Sequence, residues 1–241
     1  MVTIVHPNAG QNDLSTMSTL TQCFKTFSRM KTLEMDVRLT HTLCHEFDWN
    51  TISFPHLTYL QFSGDVLFLF YKIMTISPHL QELQIDSITL HNTFSQMNNF
   101  PTVLAHIRLL HLTLTIISST NDDHYLKDFE YIATFMLNLK HLVFTLHGVE
   151  CQGHLDILLN ALLNQKRFVQ LSTVEFQSMP IFSSLEFRQN PLRWFEENGL
   201  KKDSFYFRYQ NNIEVNNCSR NDNEFLGYQT PDDQEELQLW F

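Results

Sequence analysis

The sequence predicts an α/β repeat solenoid, a curved parallel sheet with helices on its convex side. Three observations carry this expectation: an apolar triplet that recurs six times, a period-2 alternation inside each triplet, and a helix-period apolar stripe between triplets. The triplet places apolar residues at positions 1, 4 and 6. It occurs at Met30, Leu33 and Met35, at Leu57, Leu60 and Phe62, and at Leu80, Leu83 and Ile85. It returns at Ile107, Leu110 and Leu112, at Leu139, Leu142 and Phe144, and at Leu171, Val174 and Phe176. The starts lie 27, 23, 27, 32 and 32 residues apart. That spacing accommodates one strand, one helix and two short connections per unit.

The elements follow in order. Val2 and Val5 mark the end of a strand, and Leu14, Met17, Leu20, Phe24 and Phe27 form a helical face behind Asp13, a capping residue. Val66, Leu69, Phe70, Ile73 and Met74 form the next such face behind Asp65. In segment 91–104 the helical pattern is poorer, because Pro101 ends it early. Leu126, Phe129, Ile132, Ala133 and Met136 follow Asp122 and Asp123, and Leu155, Leu158, Leu159, Leu162 and Leu163 complete the series. The last two positions of each triplet alternate with polar residues, so each strand buries one face. A sheet with helices on both sides would need strands that are apolar throughout. Parallel strands joined by right-handed helical crossovers, each unit covering its neighbour, describe a leucine-rich-repeat solenoid over residues 1–210, with about six to seven irregular repeats.

Beyond the sixth triplet the pattern loosens. Asn190-Pro191 opens a short helix through Asn198, closed by Gly199. Residues 203–210 alternate like a strand, and Ile213 to Val215 offer a pairing partner across Asn211-Asn212. Residues 211–241 form an acidic, Asn-rich segment that ends apolar at Leu237, Leu239, Trp240 and Phe241. Sequence leaves open whether this end caps the last repeat or hangs free.

Composition bounds the function. The 241 residues are 43% hydrophobic, with 34 leucines and 21 phenylalanines, ample for one or two folded domains. The longest apolar run, Val66 to Tyr71, is six residues, whereas a helix crossing a bilayer needs about 20. Residues 1–15 have neither a basic start nor a sustained apolar stretch, so no secretory signal is expected there. A net charge of −10 repels nucleic-acid phosphates and anionic lipid. Cys23, Cys44, Cys151 and Cys218 are scattered, with no Cys-x-x-Cys pair, which suits reduced thiols in the cytosol or nucleus.

No catalytic, metal or cofactor site emerges. Gly148 to Gly153 follows a strand and precedes a helix, but His154 and Leu155 stand where a phosphate loop needs Lys and Ser/Thr. His41, Cys44 and His45 would have to meet Cys151 and His154 to bind zinc. About three strand steps separate the two sets, some 15–30 Å, while zinc ligands sit about 2 Å from the metal. Most of the 12 histidines recur at or before strands, among them His56, His79, His106, His111 and His141. The paired acids Asp122-Asp123, Glu196-Glu197, Asp232-Asp233 and Glu235-Glu236 lie at helix starts or in polar stretches.

What remains is the open, concave face of the sheet. The residues between and after the apolar strand positions point there: 32, 34, 36; 59, 61, 63; 82, 84, 86; 109, 111, 113; 141, 143, 145; and 173, 175, 177. Five of these eighteen are acidic and none is Lys or Arg. The candidate partner-binding residues are Glu34, Asp36, Tyr59, Gln61, Glu82, Gln84, Asp86, Leu109, His111, His141 and Glu175. Their charge favours a protein partner with a basic segment, and Tyr59 and Leu109 are the expected apolar contacts.

The Pro55-His56-Leu57 and Pro78-His79-Leu80 beat, the irregular repeat length and the polar inter-repeat loops resemble the repeat region of F-box/leucine-rich-repeat proteins, over residues 14–210. The resemblance implies a non-enzymatic substrate-recognition module of a ubiquitin-ligase receptor. The F-box itself, which docks on the ligase adaptor, is not visible, so that partner is implied only if an F-box is encoded upstream. The chain reads as starting inside a repeat, as a truncated array or one with a divergent cap. The residues also leave open a standalone repeat scaffold or inhibitor, and an enzyme with an unrecognised site.

Overall fold

The Pro-His-Leu beat is a turn. In Phe54-Pro55-His56-Leu57 the Leu57 amide donates to the Phe54 carbonyl at 3.2 Å, with proline at the second position, where its fixed φ suits a type I turn. The same bond recurs from Leu80 to Ser77 (3.2 Å), Ile107 to Leu104 (3.1 Å) and Leu139 to Met136 (3.0 Å). Each turn drops its last residue, the first of a triplet, into the core: Leu57, Leu80 and Ile107 are fully buried.

The computed structural model describes residues 2–6, 22–26, 29–37, 51–64, 67–96, 104–115, 123–147, 158–159, 162, 168, 170–179, 187, 189–198, 206–211 and 235–240. The strands are β1 (Val2–His6), β2 (Thr32–Val37), β3 (Tyr59–Gly64), β4 (Glu82–Asp86), β5 (Leu109–Thr115), β6 (His141–His147), β7 (Thr173–Met179), β8 (Tyr206–Asn211) and β9 (Glu235–Trp240). The longer helices are α1 (Leu67–Thr75), α2 (Ser87–Gln96), α3 (Asp123–Phe135) and α4 (Pro191–Glu197). All nine strands form one open, mostly parallel sheet in the order β1-β2-β3-β4-β5-β6-β7-β9-β8. From β1 to β7 each strand pairs in parallel with the next; β9 then enters antiparallel between β7 and β8.

The register reproduces the sequence repeat. Leu33, Leu60, Leu83, Leu110, Leu142 and Val174 stand level across β2 to β7, as do Met35, Phe62, Ile85, Leu112, Phe144 and Phe176. Every one of these twelve is buried. In β1 the residues level with Leu33 and Met35 are Val2 and Ile4, while Val5 pairs with Asp36. Seventeen of the eighteen triplet residues are buried, Leu171 alone being partly exposed.

The helices pack on this same apolar layer. Leu69, Phe70, Ile73 and Met74 of α1, Phe129 and Ile132 of α3, Met136 beyond it, and Leu158, Leu159 and Leu162 all join one continuous core with the strand residues. Aromatic rings knit it together: Phe144 stacks on Phe176 at 4.9 Å and meets Phe129 edge-on at 5.5 Å. At the far end Trp194 and Phe195 of α4 close over Phe187, Phe207 and Tyr209. Asn190 caps α4, its side chain accepting from the Arg193 amide at 3.1 Å, with Pro191 opening the helix and Asn198 ending it. The expected caps Asp13, Asp65 and Asp122 lie outside the described residues.

One expectation needs correction. The helix sought in 91–104 begins earlier, at Ser87, directly after β4. Its start is anchored by Asp86, whose carboxylate accepts from the Thr89 amide at 2.8 Å and lies 2.6 Å from the Thr89 hydroxyl. That hydroxyl is also 2.7 Å from the carbonyl of Gly64, whose φ of 145° is costly for any residue with a Cβ. β8 pairs antiparallel with residues 235–240, where Leu237 and Leu239 are fully buried; the pairing expected from residues 213–215 lies outside the described residues. The apolar end thus docks beside β7, in the same sheet as the strands before it.

Because Phe144 holds two ring contacts in the core, Phe144→Ala should lower unfolding free energy by about 3–5 kcal/mol. Tyr206→Ala, at a position 81% exposed, should stay within about 0.5 kcal/mol of the parent. Urea unfolding followed by circular dichroism measures both.

Candidate protein-binding face

Alternation along each strand sends every second side chain away from the helices. All eighteen positions assigned to the open face are partly or fully exposed, none buried. The register gathers the candidate residues into rows. One row runs Thr32, Tyr59, Glu82, Leu109, His141 and Thr173; the next runs Glu34, Gln61, Gln84, His111, Val143 and Glu175. Asp36 stands level with Ser63, and Asp86 with Thr113.

Tyr59 is fixed at the acidic end. Its hydroxyl lies 2.8 Å from Gln84 Oε1 and 3.2 Å from Gln61 Oε1, both acceptors for its one proton. Burial raises its pKa above the ordinary tyrosine value, and the charges of Glu34 and Glu82 raise it further. The phenol therefore stays protonated beside two carboxylates. Oδ1 of Asp36 is shielded from solvent with no hydrogen-bond partner, so an incoming donor would satisfy an oxygen that is costly to leave bare.

The middle of the face is polar but internally satisfied. His111 Nε2 is 2.6 Å from Thr145 Oγ1, and His141 Nδ1 is 2.6 Å from Thr173 Oγ1. Burial lowers the His111 pKa, partly opposed by Glu175, so its ring is neutral near pH 7. Gln177 Nε2 donates to Glu175 Oε1 at 2.6 Å. The Asp86 carboxylate is likewise engaged, since it caps α2.

The face is wider than the repeat pattern indicates. Trp240 pairs with Thr173 and Tyr206 with Trp240, while Gln238 pairs with Glu175 and Arg208 with Gln238. Residues directly opposite across a ladder share a face, so Tyr206, Arg208 and Trp240 extend the open surface. The absence of Lys and Arg therefore holds for β2 to β7 and ends at β8. The signal was present in the alternation of 203–210 and 235–240, but the pairing of two segments so far apart has no local mark.

Among the described residues, no group of three or more His, Cys, Asp or Glu is placed to hold a metal ion. The sets at 41–45 and 151–154, and the glycine loop 148–153, lie outside the described residues. No described helix is long and apolar enough to cross a membrane. No family model matches the chain, and no curated protein matches it.

Two measurements probe this geometry. Asp86→Asn keeps an acceptor for the Thr89 amide and should preserve stability, whereas Asp86→Ala should cost about 0.5–2 kcal/mol in urea unfolding. His106, at its turn, has its pKa lowered by burial and then by neighbouring His79, as burial lowers that of His111. Both depressed values mean the unfolded chain binds more protons on acidification. Their contribution is present above the unfolded histidine pKa of about 6.5 and is lost as pH falls through the folded values. The urea midpoint should drop between pH 7.5 and 5, and less so in His106→Asn.

Proposed function

We propose that this chain is a leucine-rich-repeat solenoid that binds other proteins on the open face of its sheet, as the substrate-receiving part of an F-box-type ubiquitin-ligase receptor. The open face carries this reading. Eighteen solvent-facing positions line up in rows across β2 to β7, five of them acidic and none Lys or Arg. A merely solvated sheet face would mix both signs. The one-place strand order and the recurring turn support the repeat architecture.

In this role the protein performs no chemistry. Glu34, Glu82 and Asp36 attract the cationic side chains of a basic segment, while Tyr59 and Leu109 supply half-buried apolar contact. Gln61 and Gln84 hold the Tyr59 hydroxyl, so the aromatic anchor is ordered before a partner arrives, which lowers the entropic cost of binding. The ligase connection rests on the resemblance of the repeats alone, and an in-frame F-box upstream of Met1 in the coding sequence would support it.

A fluorescently tagged Lys-rich decapeptide should bind the protein in an anisotropy titration, more weakly as salt is raised, and a Glu-rich decapeptide should not. Glu34→Lys/Glu82→Lys should weaken the Lys-rich peptide at least tenfold and admit the Glu-rich one; this pair spares Asp86 and its helix. Equal binding in every combination would refute the reading.

A further inference from the structure

The described surface has four large, exposed apolar side chains, and two of them, Tyr206 (81% exposed) and Trp240 (38%), stand directly opposite each other on β8 and β9. Isolated exposed apolar residues need no explanation. A tyrosine and a tryptophan side by side, with exposed Arg208 two residues along the same face, are different. Trp, Tyr and Arg are the residue types most enriched among those that dominate protein-binding energy. Tyr206 contributes little to folding at that exposure, so packing of the fold does not account for it.

The register ties this patch to the acidic end. Trp240 is level with Thr173, which lies in the row that runs back through Leu109 and Glu82 to Tyr59. Between them, His141 and Thr173 bond to each other. The row therefore has three zones: carboxylates around Tyr59, a middle without carboxylates that holds half-exposed Leu109, and an aromatic end.

We propose that the open face takes a bipartite extended segment of a partner protein, lying across the strands, with basic residues over Glu34 and Glu82 and a large apolar residue over Tyr206 and Trp240. This rests on the basic-segment reading above and adds a second anchor and a spacing. Glu82 and Trp240 are four strand steps apart, about 19 Å at roughly 4.8 Å per step. An extended chain rises about 3.3 Å per residue, so the apolar residue belongs about six positions from the nearest basic one. Charge complementarity sets the identity of the first anchor and the exposed ring pair that of the second.

Three tagged peptides on a Ser/Gly background test this in one anisotropy series: two lysines alone, two lysines with leucine six positions on, and two lysines with leucine two positions on. The six-spaced peptide should bind about tenfold tighter than the other two. Tyr206→Ala and, separately, Trp240→Ala should bring it down to the lysine-only affinity and leave the lysine-only peptide unchanged. Circular dichroism confirms that each variant folds, and Tyr206→Ala keeps the test alive if Trp240→Ala does not. Equal binding of all three peptides to the parent overturns the second anchor and leaves the basic-segment reading standing. Binding of none overturns both.

Discussion

The fold depends on a ladder of backbone bonds at the start of each strand. The carbonyl of Lys31 accepts from the amides of Thr58 and Tyr59, that of Thr58 from Gln81 and Glu82, and that of Gln81 from Arg108 and Leu109. Arg108 then serves Lys140 and His141, and Lys140 serves Ser172 and Thr173, all at 2.8–3.1 Å. Each carbonyl uses both lone pairs on the next unit. Since a strand slipped by one residue would turn its apolar set toward solvent, these paired hydrogen bonds and the buried rows enforce one register. Side-chain links follow the same step, as when Asn138 donates to the Ala105 carbonyl at 2.6 Å.

That constraint explains what could be read in advance. The triplets, their phase and the assignment of faces were legible because burial on one side of a strand imposes period two and the ladder imposes equal phase. Thus Leu60 and Leu83, 23 residues apart, pair as directly as Leu110 and Leu142, 32 apart. Variation in length goes into the crossovers, where it leaves the sheet undisturbed.

What escaped had a different physical origin. Asp86 looked like one more acid on the face, yet a carboxylate at the end of a strand with threonine three residues on also caps a helix. Nothing in composition separates those roles; the direct junction of β4 with α2 decides it. The pairing of β8 with β9 has no mark in the sequence, because it depends on tertiary proximity rather than on repeat phase. Its consequence reached the candidate site, since Tyr206, Arg208 and Trp240 enter the open face only through that pairing.

The placement of β9 also bears on how the chain acquires its structure. Parallel neighbours from β2 to β7 lie 23 to 32 residues apart, but Thr173 and Trp240 are separated by 67. Doubling a loop costs only about 0.6 kcal/mol in closure entropy, so equilibrium stability hardly notices. Order of events does. On a ribosome the units from β1 to β7 can zip in sequence as they emerge, each finding its template already in place. β8 emerges before β9, the strand that joins it to the sheet, and its aromatic inner face must wait for residues 235–240 to follow. This end therefore matures in a separate step, later than the sequential zipping of β1 to β7.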